Sequence, residues 1–119
     1  MADFTIHDLE RRVHERAKAS PEVSYTRKLL DRGVAQCAKK LGEEAIETII
    51  AALGQDERAL TCEAADLLYH LLVLLASKRI ALADVLGELA SRIDTSGLAE
   101  KAARTAQSGL DEKAARKHS

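Results

Sequence analysis

The chain has 119 residues, enough for one domain, of which 46% are hydrophobic and 31% charged. Aromatics are only 3% and tryptophan is absent, so core and interfaces must be built from Leu, Ala, Ile and Val. Eighteen basic and nineteen acidic residues are interspersed to a net charge of −1, which leaves no basic stripe for nucleic acid.

Ala, Leu, Glu, Lys and Arg dominate, and all favour helix, so the expected fold is all-α. The first helix is expected from about Asp3 to Ala19, with a loose apolar stripe of Phe4, Ile6, Leu9, Val13 and Ala17. Its N-terminus lacks the apolar stretch of a signal peptide. Ser20-Pro21-Glu22 breaks the helix, because the residue before a proline avoids the helical region. Ser24 or Thr26 can cap a short second helix, SYTRKLLDR, which stops at Gly33. A third runs from Val34 to about Leu53 and ends at Gly54. A fourth begins at Asp56, a good N-cap, and reaches Lys78. A fifth covers Leu82 to Ile93. Residues 1–93 read as one helical domain. Residues 94–119 read as a charged tail, with Leu98 to Ala106 as one more short helix.

The third helix has an ordinary apolar face of Val34, Leu41, Ala45, Ile49 and Ala52, with Cys37 at its border. Lys40, Glu43, Glu44 and Glu47 share another stripe, yet Ile46 and Ile50 lie beyond it. The acids therefore have apolar neighbours on both sides, as in a cleft between packed layers. The fourth helix reads LLYHLLVLLA from Leu67, apolar nearly all round, the mark of a buried or interface helix. That run is short of the ~20 residues that cross a bilayer, so a cytoplasmic protein is expected. Glu63, Asp66 and His70 share one of its faces. His70 is expected to be a hydrogen-bonded core residue, and Tyr69 a packing residue with a satisfied hydroxyl. Cys37 and Cys62 form neither a CxxC pair nor a zinc spacing and read as reduced thiols.

Glu-Glu on a helix is ordinarily a solvated face. Two acidic motifs on consecutive helices, Glu43-Glu44-x-x-Glu47 and Glu63-x-x-Asp66, are a different matter. Facing each other, such carboxylates repel by about 4 kcal/mol per pair at ~4 Å and an effective dielectric of ~20. Lys39 and Lys40 stand on the third helix, but no Arg or Lys falls within Glu63 to Leu75. The other compensation is a hard divalent cation. An all-oxygen set suits Mg²⁺ or Mn²⁺ rather than zinc, and Mg²⁺ readily takes phosphate oxygens.

The two acidic motifs resemble the metal-binding motif of the MazG-like all-α nucleoside triphosphate pyrophosphohydrolases. SYTRKLLDRG, KKLGEEAIETIIAA and EAADLLYHLLVLL look like the phosphoribosyl-ATP pyrophosphatase family of histidine biosynthesis, over about Phe4 to Arg92. The resemblance implies an all-helical homodimer with helices packed across the subunit boundary. It implies Mg²⁺-dependent hydrolysis of 1-(5-phospho-β-D-ribosyl)-ATP to the AMP derivative and pyrophosphate. Carried over by motif, Glu44, Glu47, Glu63 and Asp66 are the expected metal ligands, and Glu43 or Glu47 the expected proton acceptor. Ser24, Tyr25, Thr26, Lys39 and Lys40 are the expected substrate contacts. An enzyme cleaving free (d)NTPs through the same acids is the alternative, although base selection there wants stacking aromatics and the chain has only Phe4, Tyr25 and Tyr69. One departure is visible: Lys78-Arg79 precedes Ile80 where many relatives carry a glycine-containing turn.

Overall fold

A computed structural model describes residues 3–54 and 56–94. Five helices follow in order: α1 (Ile6–Ala17), α2 (Tyr25–Asp31), α3 (Val34–Gly54), α4 (Glu57–Ser77) and α5 (Leu82–Asp94). The architecture is the expected all-α bundle. It divides after Leu82: α1 to α4 belong to one compact unit, and α5 from Ala83 belongs to a second. The short tail helix expected over Leu98 to Ala106 lies outside the described residues.

The helix starts follow from local chemistry. Thr5, not Asp3, opens α1. Its hydroxyl accepts the Asp8 N–H at 3.1 Å, and the Asp8 carboxylate accepts the Thr5 N–H at 2.9 Å. This reciprocal capping box satisfies donors that a helix start leaves unpaired. Ser24 caps α2, accepting the Arg27 N–H at 3.0 Å while its hydroxyl donates to the Arg16 carbonyl at 2.7 Å. Arg16 returns a hydrogen bond to the Val23 carbonyl at 2.6 Å, so the α1–α2 joint is tied from both sides. Asp56 caps α4 through the Ala59 N–H at 2.8 Å. Gly33, at φ +96°, makes the turn from α2 into α3 that a side chain would strain.

The dominant pairing is antiparallel, α3 against α4. Only Gln55 and Asp56 separate the two helices in sequence. Val13 of α1, Leu29 of α2, Cys37 and Ala51 of α3, and Leu72 and Val73 of α4 form the buried apolar core, with Leu82. The Leu82 N–H, at the start of α5, donates to the Glu10 carboxylate at 2.8 Å.

The inward face of α3 differs from the one its apolar pattern suggests. Val34 is 40% exposed, Ile49 57%, and Ala52 is also exposed. The covered positions are Gln36, Cys37, Lys40, Leu41, Glu44, Ala45, Thr48 and Ala51, so α3 is turned by roughly 70° from the expected orientation. The outward row is Ile46, Ile49, Ile50 and Leu53, all largely exposed. Leu68 and Leu71 are exposed on α4 as well. Two apolar faces compete for the interior of α3, and the one that wins carries Glu44 with it. By length and composition the whole of α4 could cross a membrane, unlike its apolar run alone. Its middle, however, holds Glu63 and Asp66, which would be costly in hydrocarbon.

Candidate metal centre

The hairpin decides which acids meet. In an antiparallel pair, residues equally far from the turn stand level. Glu47 and Glu63 are level by this count, and so are Glu44 and Asp66. One carboxylate oxygen each from Glu44, Glu63 and Asp66 lies within 4.8 Å of the others. Glu44 and Glu63 are half-buried and Asp66 is exposed, so the cluster opens to solvent at the seam between the helices. Thr48 sets the register there. Its hydroxyl lies 2.8 Å from the Glu44 carbonyl and 3.2 Å from the Glu63 carbonyl, able to donate to either helix. Nothing in the sequence reading singled out Thr48; its place one turn after Glu44 was the available signal.

The electrostatics report crowding. Partial burial, then the Glu44 carboxyl beside it, and then the charges of Glu44, Glu47 and Asp66 raise the proton affinity of Glu63. Glu47 thus acts on the cluster through its charge while lying outside the close triad. Glu43 is oriented elsewhere: Lys40 pairs with it at 3.2 Å and Lys39 reaches it at 4.0 Å. The hydrogen bond to Glu43, and then Tyr25, raise the pKa of Lys40, which stays charged beside the acids. The donor set is all carboxylate, it is compact, and it repels itself. That chemistry fits a hard divalent cation.

The expected substrate contacts divide into two kinds. The Ser24 hydroxyl is buried at the α2 cap, and the buried Thr26 hydroxyl is hydrogen-bonded to the Tyr69 hydroxyl at 2.5 Å. Tyr25, 53% exposed, and Lys39 face solvent, and Lys40 is half-buried and paired with Glu43. Tyr69 is thus the packing residue with a satisfied hydroxyl that its context suggests. His70 departs from expectation. It is buried, 6% exposed, but its Nδ1 has no hydrogen-bond partner among the described residues. A cleft of about 390 Å³, bounded in part by His14, Lys18, Leu30, Arg79 and Ile80, includes none of the acids.

A sequence model of the family described as phosphoribosyl-ATP pyrophosphohydrolase matches residues 6–93. The chain belongs to that family. Its members hydrolyse a phosphoric anhydride, and the chain is an enzyme of this class. Among relatives named phosphoribosyl-ATP pyrophosphatase, the one from Rhizobium meliloti is 56% identical over 100 residues, covering 84% of this chain and 94% of the relative. The relative from Methylobacterium nodulans is 58% identical and that from Agrobacterium fabrum 57%, each with the same coverage. The matched span contains both acidic motifs, Tyr25, the two lysines and His70.

Proposed function

We propose that this enzyme hydrolyses 1-(5-phospho-β-D-ribosyl)-ATP to 1-(5-phospho-β-D-ribosyl)-AMP and pyrophosphate, with Mg²⁺ as the metal, in the cytoplasm. The observation that carries the reading is the meeting of Glu44, Glu63 and Asp66 within 4.8 Å, inside a chain that belongs to the phosphoribosyl-ATP family. These three would hold the cation, with Glu47 as the fourth carboxylate. A divalent cation held by these carboxylates would offset negative charge on the phosphate chain. Lys39 and Lys40 bring positive charge to the same rim, and Tyr25 offers a half-exposed ring to the nucleoside. Ser24 caps the helix that carries Tyr25, and Thr26 is hydrogen-bonded to Tyr69. Glu47 is the base that takes a proton from the attacking water. Glu43 is already engaged by two lysines, which makes it the poorer acceptor. No side chain of the cluster is a covalent nucleophile in this reading, so rate comes from positioning and charge.

The working form is a homodimer. Ile46, Ile49, Ile50 and Leu53 leave four large apolar side chains uncovered along one face of α3. A second copy supplies a matching apolar row by symmetry.

Pyrophosphate release from phosphoribosyl-ATP, measured with Mg²⁺ and again with EDTA, tests the assignment. Metal-dependent release is expected, and faster than release from ATP, dUTP or dCTP. Faster cleavage of a free triphosphate would keep the metal centre and overturn the substrate.

A further inference from the structure

His70 is the buried polar group that the reaction above leaves without a task. It lies on α4 one turn beyond Asp66, 6% exposed, with its Nδ1 fully covered and unpaired. An unpaired nitrogen in such a place is unfavourable, and native folds rarely keep one. The neighbours cannot easily relieve it. The Tyr69 ring stands edge-on at a centroid distance of 4.9 Å, but its hydroxyl is committed to Thr26. Lys40 and Glu43 act on His70 from α3 through their charges, yet they are paired with each other at 3.2 Å. Asp66, on the helix of His70 itself, belongs to the acid triad. Among the described residues, no group is left to pair with it.

Tyr25 of α2 packs edge-on against His70 at 6.2 Å and nearly parallel to Tyr69 at 6.5 Å. Of the three rings only Tyr25 is exposed, so it is the one whose displacement opens the site. Burial, and then the charge of Lys40, depress the His70 pKa and keep the ring neutral, with one donor and one acceptor nitrogen. A hydroxyl can satisfy either kind.

Position selects the hydroxyl. One helical turn is about 5.4 Å, so His70 is about one phosphate-to-sugar step along α4 from Asp66. With a phosphate chain held at the acids, the adjoining group at that level is a pentose. We propose that His70 is a substrate-binding residue, whose buried Nδ1 hydrogen-bonds a pentose hydroxyl next to the metal-held phosphates once the Tyr25 ring is displaced. This rests on the phosphoribosyl-ATP reading.

Two substitutions separate recognition from packing. His70→Phe keeps a ring and removes both nitrogens. His70→Asn restores a hydrogen-bonding atom near Nδ1. The Phe variant is expected to melt at or above the wild-type temperature, because the unpaired nitrogen is gone. Its KM for phosphoribosyl-ATP should rise about tenfold or more, with the Mg²⁺ midpoint within about twofold of wild type. The Asn variant should recover part of the KM. A Phe variant with wild-type KM makes His70 a packing residue and overturns the proposal. Should that variant fail to fold, the wild-type protein still decides. With ¹⁵N-labelled histidine, the His70 Nδ1 resonance should move as the product phosphoribosyl-AMP saturates the enzyme, and a resonance that stays fixed overturns the proposal. Wild-type enzyme that does not cleave phosphoribosyl-ATP at all defeats the substrate reading and this inference together. Intact turnover with an unchanged Phe variant defeats the inference alone.

Discussion

Arg79 offers the sharpest test of the backbone physics, because it lies outside the acid cluster. It is the one described non-glycine residue with positive φ, at +59°. Its N–H donates to the Ala76 carbonyl at 3.0 Å, and the Ile80 N–H to the Leu75 carbonyl at 2.9 Å. These are the two bonds of a Schellman motif closing α4, with Arg79 where glycine is preferred. A side chain in the left-handed region costs about 1–2 kcal/mol. Glycine removes that cost but loses roughly 0.5–1 kcal/mol through the freedom it gains when unfolded. The guanidinium at the helix C-terminus adds about 0.3 kcal/mol, which any small replacement forfeits. Arg79→Gly and Arg79→Ala both lose the cation, so their difference isolates the backbone. Glycine should be the more stable by about 0.5–1 kcal/mol, a melting difference of roughly 2–6 °C for a domain of this size. Calorimetry of both variants at one fixed protein concentration measures it, with turnover as the control, expected unchanged. A glycine variant no more stable than the alanine variant would refute the reasoning.

Four other outcomes are expected. Glu44→Gln and Asp66→Asn should each lower Mg²⁺-dependent turnover by about a hundredfold or more while the helical circular dichroism is kept, and full activity in either would remove that residue from the metal set. Glu63 has a folded-state pKa above its ordinary 4.5, so between those values the folded state holds more protons than the unfolded and acid favours folding. In EDTA, Glu63→Gln should therefore melt above wild type at neutral pH, and the gap should close as pH falls toward 4.5; a gap that widens on acidification reverses the sign and the explanation. Ser24→Ala removes two buried hydrogen bonds and should cost about 1–2 kcal/mol in chemical denaturation, with an unchanged midpoint ruling out the capping role. Ile46→Glu with Ile50→Lys should turn a species of twice 12.9 kDa into one of 12.9 kDa in sedimentation equilibrium; an unaltered mass would place the dimer contact elsewhere.

What the sequence made legible was punctuation and pairing of acids. Gly33, Ser24 and Asp56 mark turn and caps through side-chain chemistry that needs no tertiary context, and all three act as their residue types suggest. The start of α1 was less legible because Phe4 fits the apolar stripe, while the Thr5–Asp8 capping box that overrides it uses Asp in place of the commoner Glu or Gln. The orientation of α3 was not legible. That helix has two apolar faces, and periodicity cannot say which of them a neighbouring helix of the same chain covers. The helical wheel only half accounts for the inward turn of Glu44, which lies between the two apolar faces. Ser24 and Thr26 were singled out beside Tyr25 by resemblance, yet the hydroxyls are held inside the fold and only the ring between them reaches solvent. Whether a buried histidine finds a partner depends on distances that no spacing rule contains.

The antiparallel pairing of α3 and α4 makes this stretch of sequence a folded palindrome. Read outward from Gln55, the count that sets Glu47 against Glu63 also sets Lys40 against His70 and Cys37 against Val73. Inserting one residue within either arm would rotate everything beyond it by about 100° and advance it by about 1.5 Å, breaking every later reflection at once. The spacing between the acidic motifs is therefore under stronger constraint than most residues that fill it. Compensating changes among relatives should run between mirror positions: a bulkier side chain at Cys37 should be met by a smaller one at Val73, long before anything changes at the turn.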